Sequence, residues 1–230
     1  MSGGRWDADT YDKVADPQEA WAREILQRFA LRGDERVLDA GCGSGRVTEL
    51  LVERLPRGRV VAVDADAAMV AKARERLGDR ADVQQQDLLE LQLPEPVDAV
   101  FSCAVFHWIT DHERLFERLR AALGPGGRLV AQCGGHGNIA KVVAAVPDRP
   151  SPWLYATPEG TEHRLRAAGF AHARAWLEPK PTRVADPQAY VAAICLHGHP
   201  QAQELAPNVV AALGDPPVID YVRLNIHATV

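Results

Sequence analysis

The feature that most constrains the fold of this chain is the alternation of short apolar runs with helical patterns between residues 17 and 133. Five runs have the length and composition of strands, at residues 36–40, 59–64, 82–85, 97–102 and 128–133. Strands that alternate with helices of this length imply βαβ units with right-handed crossovers. The pattern therefore predicts an α/β fold with a mostly parallel sheet and helices on both faces.

The rhythm changes after residue 134. The sequence predicts a short helix, a loop at 147–158, a helix at 159–168 and a strand at 170–177, and Asp186-Pro187 and Pro200 mark the starts of two further helices. The final segment, 218–226, alternates apolar and polar residues, which is typical of a half-buried antiparallel strand. We expect one open sheet with an antiparallel edge.

Composition narrows the class of protein. A chain of 230 residues with 47% apolar residues suits one sizeable domain, and a net charge of −5 argues against a broad nucleic-acid or anionic-membrane surface. The four cysteines form no C-x-x-C pair, which disfavours disulfides and a zinc site. No apolar signal core stands at the N-terminus, so we expect a cytoplasmic protein.

A glycine turn follows the first strand and is the strongest ligand signal. Gly41, Gly43 and Gly45 stand at alternate positions directly after Asp39. Glycines allow the backbone to approach a ligand closely, and the spacing differs from the G-x-G-x-x-G of pyrophosphate-binding sites. Asp39 could bond a ligand's ammonium group or fix backbone amides at the strand end, and both roles stay open.

Acidic residues end the next two strands, at the sheet edge where ligands bind in such folds. Asp64 could accept hydrogen bonds from two ribose hydroxyls, or it could cap a helix. Asp87 could accept from an adenine amino group, with Leu88 covering the ring, or it could be a solvated loop residue. Ala65, Asp66 and Met69 follow Asp64 and could flank the adenine, although a methionine here could also be helix core.

His107 and Trp108 follow the fourth strand. His107 could remove a proton from a hydroxyl nucleophile, hydrogen-bond a substrate, or pack as a neutral core residue. Trp108 could form a wall of the substrate pocket. The pair His197 and His199 has no nearby acid or cysteine to complete a metal site, so a loop is the better interpretation.

The order of these motifs resembles that of class I S-adenosylmethionine-dependent methyltransferases. The matching segments are VLDAGCGSG, the acid of VVAVDAD, QQDLLEL, AVFHWITDHERL and LGPGGRLVAQCGG, which together cover residues 36–135. The HWI segment and the N-terminal RWDADTYDKVAD resemble the small-molecule branch that includes trans-aconitate methyltransferases.

This resemblance implies a Rossmann-like, doubly wound sheet of seven strands with an antiparallel last strand. It implies one domain over 1–230, divided into an N-terminal cap and helix (1–35), a cofactor-binding core (36–135) and an acceptor side (136–230). The implied cofactor is S-adenosylmethionine, with S-adenosylhomocysteine as product and no metal. Trp6 and Tyr11 would line or cover the site.

The expected reaction is methyl transfer to a small molecule, with an oxygen acceptor (carboxylate or hydroxyl) favoured and carbon and nitrogen left open. No Asn/Asp-Pro-Pro-Tyr/Phe element follows the fourth strand, which argues against methylation of nucleic-acid bases. We expect a monomer or homodimer that binds neither nucleic acid nor membranes. Two alternatives are a non-catalytic S-adenosylmethionine-binding protein and a nicotinamide-dependent oxidoreductase.

Overall fold

The computed structural model describes residues 16–146 and 152–230. In these ranges the helices are α1 (Asp16–Arg28), α2 (Arg46–Glu53), α3 (Ala67–Leu77), α4 (His112–Ala122), α5 (Ala140–Ala144), α6 (Pro158–Ala167), α7 (Pro187–Tyr190) and α8 (Ala202–Ala212). The strands are β1 (Arg36–Ala40), β2 (Arg59–Asp64), β3 (Asp82–Gln85), β4 (Val97–Cys103), β5 (Leu123–Gly134), β6 (His172–Thr182) and β7 (Ile219–Thr229). Three 3₁₀ turns (Gly78–Arg80, Leu88–Glu90 and Phe106–Trp108) and one π-helical turn (Val191–Cys195) lie between them.

The seven strands form one sheet in the order β3-β2-β1-β4-β5-β7-β6. Strands β1 to β5 pair in parallel, and β7 is antiparallel to both of its neighbours. The predicted α/β fold with an antiparallel last strand is confirmed. The sheet also has the expected antiparallel edge, but the last strand does not form it: β7 is inserted between β5 and β6, and the edge strand is β6, which runs antiparallel to β7.

Insertion of β7 also changes its burial. The prediction of a half-buried strand fails because Arg223 and Asn225, on the polar positions, are as deeply buried as Leu224 and Ile226. Neighbouring strands cover both edges of β7, and the side chain of Trp21 from α1 lies over Arg223. A polar residue in this strand is therefore an interior residue.

The apolar core lies on both faces of the sheet. One cluster joins the sheet to α4 and α6 and includes Leu115 and Leu165. Another joins it to α1, α2 and α3 and includes Leu51 and Val70. Helices cover both faces, and the order of the strands along the sheet reverses between β1 and β4, which creates a crevice at the carboxyl ends of these two parallel strands.

Two local details concern the ends of elements. The α4 helix is capped by Asp111, whose carboxylate accepts from the Arg114 N–H at 3.0 Å. Residues 124–127 lie within β5 as an irregularity, since the register against β4 shifts between Val97 and Ala99. Within the described residues, no helix is both long and apolar enough to cross a membrane.

Candidate functional site

A cavity of about 790 Å³ opens at the carboxyl ends of the parallel strands. Its walls come from α1, the turns after β1, β2, β3 and β4, the 152–155 loop, the π-helical turn and β7. The volume falls within the range of about 300–1,000 Å³ that is usual for small-molecule sites. The topology thus gathers residues from the whole described chain around one space.

The three glycines of the turn after β1 differ in what surrounds them and in whether they line the cavity. Gly41 has φ +86°, and a Cβ there would overlap the side chain of Val105 from the turn after β4. Gly43 has φ +54°, and apart from Gly43 itself and its two chain neighbours no residue has a heavy atom within 4 Å of the position that its Cβ would take. Both line the cavity. Gly45 is not among the lining residues, because it begins α2 at φ +82° and faces the backbone of Ala73 on α3.

Asp64 ties the glycine turn to the end of β2. Its Oδ2 accepts from the Gly43 N–H and its Oδ1 from the Asp66 N–H, both at 2.9 Å. Burial raises the pKa of this carboxyl above its usual value. The alternative role of helix cap belongs to Asp66, which accepts from the N–H groups of Ala68 and Met69. Asp64 lines the cavity and holds the glycine turn in place.

Of the residues expected around an adenine ring, some line the cavity and one does not. Ala65, Met69 and Asp87 line the cavity, and the Asp87 Oδ1 accepts from the Leu89 N–H at 3.0 Å. Leu88 does not line it, because its side chain is buried in the core, and Leu89 takes the place at the wall. Successive side chains of a 3₁₀ turn point about 120° apart, so neighbouring leucines face different surroundings.

Asp39 is buried at the floor of the cavity, with 2% of its surface exposed. Its Oδ2 accepts from the Thr48 hydroxyl at 2.7 Å. Burial, assisted by repulsion from Asp64, raises the pKa of the Asp39 carboxyl to about 7. A cation placed beside it would favour the ionised form and lower this pKa.

His107 faces the cavity from the 3₁₀ turn after β4. The Gly134 N–H donates to its Nδ1 at 3.3 Å, so that nitrogen accepts and Nε2 carries the ring proton of the neutral form. Burial and the positive charge of Arg223 hold the pKa of His107 well below its usual value. A neutral ring with a protonated Nε2 is a hydrogen-bond donor, which does not fit a general base.

Aromatic rings form the wall beside His107. Tyr155 stacks on it with 6.0 Å between ring centroids, and Trp108 contacts Trp153 at 5.7 Å and His197 at 5.6 Å. Trp108 thus lines the cavity as expected of a wall residue. Two other predicted wall residues, Trp6 and Tyr11, lie outside the described residues. Over 16–146 and 152–230 no group of three or more His, Cys, Asp or Glu side chains could hold a metal ion.

Arg223 of β7 is a lining residue that the sequence reasoning missed. Only 2% of it is exposed, and its guanidinium carbon lies 4.5 Å from the ring centroid of Trp21 and 5.9 Å from that of Tyr221. Its Nε donates to the Gln132 Oε1 at 3.4 Å. Its Nη2 is buried without a hydrogen-bond partner, and no carboxylate pairs with the guanidinium among the residues that the structure describes.

A polar residue inside a terminal strand pattern was the one available signal for Arg223. Because Val222, Leu224 and Ile226 alternate with polar residues, Arg223 takes a polar position, and a polar position in an edge strand usually faces solvent. The insertion of β7 between two strands is what turns Arg223 into a cavity residue.

Comparison with known proteins identifies the family. A family model described as a methyltransferase domain matches residues 37–127. The trans-aconitate 2-methyltransferase of Methylobacterium nodulans is 36% identical over 177 residues, which make up 75% of this chain and 67% of that protein. The chain belongs to the S-adenosylmethionine-dependent methyltransferases.

Other curated relatives carry the same name. The trans-aconitate 2-methyltransferase of Rhizobium etli is 42% identical over 155 residues, 67% of this chain and 60% of that protein. That of Rhodopseudomonas palustris is 42% identical over 127 residues, 55% of this chain and 49% of that protein. This methyltransferase spans about half to two thirds of the length of the curated relatives it matches.

Solved structures agree on the fold of this methyltransferase. Phosphoethanolamine N-methyltransferase 2 of Haemonchus contortus, in complex with S-adenosyl-L-methionine, has a TM-score of 0.69 at 22% identity and covers 97% of this chain and 56% of that chain. An S-adenosylmethionine-dependent methyltransferase from Aquifex aeolicus has a TM-score of 0.60 at 19% identity, with coverages of 98% and 99%. At these identities the likeness concerns the fold alone. S-adenosylmethionine is the cofactor of the family to which the chain belongs.

Proposed function

We propose that this methyltransferase transfers a methyl group from S-adenosylmethionine to a carboxylate oxygen of a small polycarboxylic acid, with trans-aconitate as the first candidate. The observation that carries this proposal is Arg223, which lines the cavity and whose buried Nη2 has no hydrogen-bond partner among the described residues. An arginine is suited to bind a carboxylate, and an unpartnered buried donor favours a ligand that completes it. The names of the curated relatives point to the same substrate class.

The cofactor is assigned to the side of the cavity formed by β1, β2 and β3. Asp64, at the end of β2, has the carboxylate that would accept the ribose hydroxyls, and Asp87 would accept from the adenine amino group. The open space over Gly43 gives room for a nucleoside against the backbone. Asp39 would lie near the ammonium of the methionine portion. Gly41, Ala65 and Met69 complete this group.

The acceptor is assigned to the side formed by α1, the turn after β4, the 152–155 loop and β7. Arg223 would anchor one carboxylate, and the His107 Nε2–H would donate to the acceptor. The aromatic wall of Trp108, Trp153 and Tyr155 would exclude water from the reacting groups. Catalysis then consists mainly of holding the acceptor in line, which supplies roughly 7–11 kcal/mol in well-oriented reactions.

Bound S-adenosylmethionine supplies the methyl group: a lone pair of the carboxylate oxygen forms the new C–O bond while the S–CH₃ bond breaks and its electron pair stays on sulfur. A carboxylate is ionised at neutral pH and needs no base. A hydroxyl acceptor would need one, and the neutral His107, whose Nδ1 is already an acceptor for Gly134, is not suited to that role. The geometry therefore favours a carboxylate over a hydroxyl.

The test is an assay of S-adenosylhomocysteine formation with trans-aconitate and, separately, with the monocarboxylate crotonate. We expect turnover with trans-aconitate and isolation of its methyl ester. Arg223→Met should lower kcat/KM for trans-aconitate by about 30-fold or more, since losing one partner of a buried charge pair costs about 2–5 kcal/mol. Binding of S-adenosylhomocysteine should stay unchanged.

The matched control is Arg183→Met, which removes an exposed arginine and should leave kcat/KM unchanged. Cofactor binding with no methyl transfer to any polycarboxylate would contradict the proposal and favour a non-catalytic cofactor-binding protein. Four expectations stay predictions: the division into one domain, a cytoplasmic location, a monomeric or homodimeric state and the absence of nucleic-acid partners.

A further inference from the structure

We propose that Gln132 and Asn225 are positioning residues that hold Arg223 through neutral amides, so that its positive charge is left for the carboxylate of the acceptor. The inference rests on the proposed function, whose acceptor site it deepens. It concerns how the anchor is built, and it accounts for a buried arginine that forms no direct ion pair with a carboxylate of the described residues.

The two amides join Arg223 to a surface acid in one hydrogen-bonded chain. The Arg223 Nε donates to the Gln132 Oε1 at 3.4 Å, and the Gln132 Nε2 donates to the Asn225 Oδ1 at 2.8 Å. The Asn225 Nδ2 then donates to the Glu178 Oε2 at 3.3 Å. Gln132 on β5 stands directly opposite Asn225 on β7, so the sheet register sets the pairing of the amides.

Chemistry permits only one direction for this chain. Arginine can only donate and an ionised carboxylate can only accept. Gln132 must therefore turn its oxygen to Arg223 and its NH₂ group to Asn225, and Asn225 must turn its NH₂ group to Glu178. Gln132 and Asn225 are 1% and 3% exposed, so water does not compete for these bonds. The chain restricts the orientation of the guanidinium.

The compensating negative charge is not paired directly with the guanidinium: Glu178 stands opposite Arg223 in the register of β6 against β7, yet it is joined to Arg223 only through the two amides. Glu178 is half-buried and also pairs with Lys180 at 3.0 Å and Arg28 at 3.4 Å. Burying a charge is costly unless it is stabilised. Here two aligned amide dipoles and the ring of Trp21 stabilise Arg223, and neither occupies Nη2. A carboxylate at position 132 would instead form a direct ion pair and compete with the acceptor.

The decisive variant is Gln132→Glu, which keeps the size of the side chain and adds that carboxylate. We expect trans-aconitate, measured by calorimetry in the presence of S-adenosylhomocysteine, to bind about tenfold or more weakly. Binding of S-adenosylhomocysteine itself should not change. The matched control Gln203→Glu, at an exposed position of α8, should leave both affinities unchanged. Unchanged affinity of Gln132→Glu for trans-aconitate would overturn the proposal.

A second measurement needs no acceptor and separates this inference from the proposed function. In thermal unfolding, Gln132→Glu should lower Tm by at least about 2–4 °C more in an Arg223→Met background than in the unchanged chain, because the new carboxylate then lacks its cation. Equal shifts in both backgrounds would show that positions 132 and 223 do not interact and would overturn the inference.

The two failures are distinguishable. If the unchanged chain does not bind trans-aconitate but the Tm shifts differ, the positioning of Arg223 stands and the proposed substrate class is wrong. If trans-aconitate binds and is methylated but the shifts are equal, the proposed function stands and the positioning role is wrong. Should Arg223→Met fail to fold, the binding measurement on Gln132→Glu decides alone.

Discussion

The two sides of the cavity are built in different ways. The side at β1, β2 and β3 takes its residues from one stretch of chain, in which each functional group lies at or directly after a strand end. The opposite side takes Gln18, His107, Tyr155 and Arg223 from segments that lie far apart in the sequence. The first side therefore appears in the sequence as a motif, and the second exists only once the sheet has formed. Variants on each side should affect different binding steps.

The largest effect among the following predictions should come from Asp64→Asn, which tests the nucleoside side. Losing one carboxylate oxygen should weaken binding of S-adenosylhomocysteine about tenfold or more, as hydrogen bonds to charged groups contribute about 1.5–3 kcal/mol. The KM for trans-aconitate at saturating cofactor should change little. Calorimetry measures the first quantity, and Asp79→Asn, at an exposed position, is the control. An unchanged affinity would remove Asp64 from the cofactor site.

A smaller effect should come from His107 and tests the acceptor side. His107→Leu should lower kcat/KM for trans-aconitate about tenfold, because the donor is lost, whereas His107→Gln, which keeps an N–H donor, should stay within about threefold. The pH profile of kcat/KM should show no step at the ordinary pKa of histidine, since burial keeps this ring neutral. Equal inactivation by both variants, with activity lost below about pH 6.5, would instead identify a general base.

The smallest effect should be a pH dependence caused by Asp39, whose pKa is raised to about 7. Ionisation as pH rises from 6 to 8 should strengthen binding of S-adenosylhomocysteine several-fold, because the carboxylate then attracts the ammonium group. Calorimetry across that pH range measures this effect. Asp39→Asn should abolish the dependence, and a dependence that persists in this variant would assign it to another group.

The same carboxyl makes an opposite contribution to stability. The unfolded chain loses the Asp39 proton above about pH 4, whereas the folded chain keeps it until about pH 7. The free energy of unfolding should therefore fall across that window, and Asp39→Asn should reduce the fall. Denaturant unfolding at several pH values measures it. A fall in the variant as steep as that of the unchanged chain would contradict this prediction.

Much of the fold could be predicted because the parallel strands are buried runs bounded by polar residues or turns. The predicted bounds of β1, β2 and β3 agree with the structure. β6 extends five residues beyond its prediction, to Thr182, although Pro179 and Pro181 interrupt the pattern. An edge strand tolerates proline, which has no N–H to donate. That β6 is the edge could not be read from the sequence.

The candidate site could be predicted where local chain geometry alone positions a residue. Local chain geometry brings Asp64 and Asp87 to the cavity, because each follows a parallel strand. Local chain geometry could not distinguish Leu88 from Leu89, since a shift of one residue in a 3₁₀ turn changes which side chain faces the cavity. Placing Arg223 in the cavity requires the order of the strands in the sheet. Assigning the ring proton of His107 requires its contact with the Gly134 N–H and its depth of burial. Contacts between distant segments determine these features.

The insertion of β7 between β5 and β6 has a consequence for the order in which the protein is made. Chains emerge from the ribosome N-terminus first, so β5 and β6 are synthesised before the strand that joins them. Until then the nucleoside side has all its strands, while Arg223 and the partner amide of Gln132 do not yet exist. A nascent chain at this stage already contains the residues that we propose for cofactor binding, whereas Arg223, the proposed anchor of the acceptor, comes only with the strand synthesised last among those described.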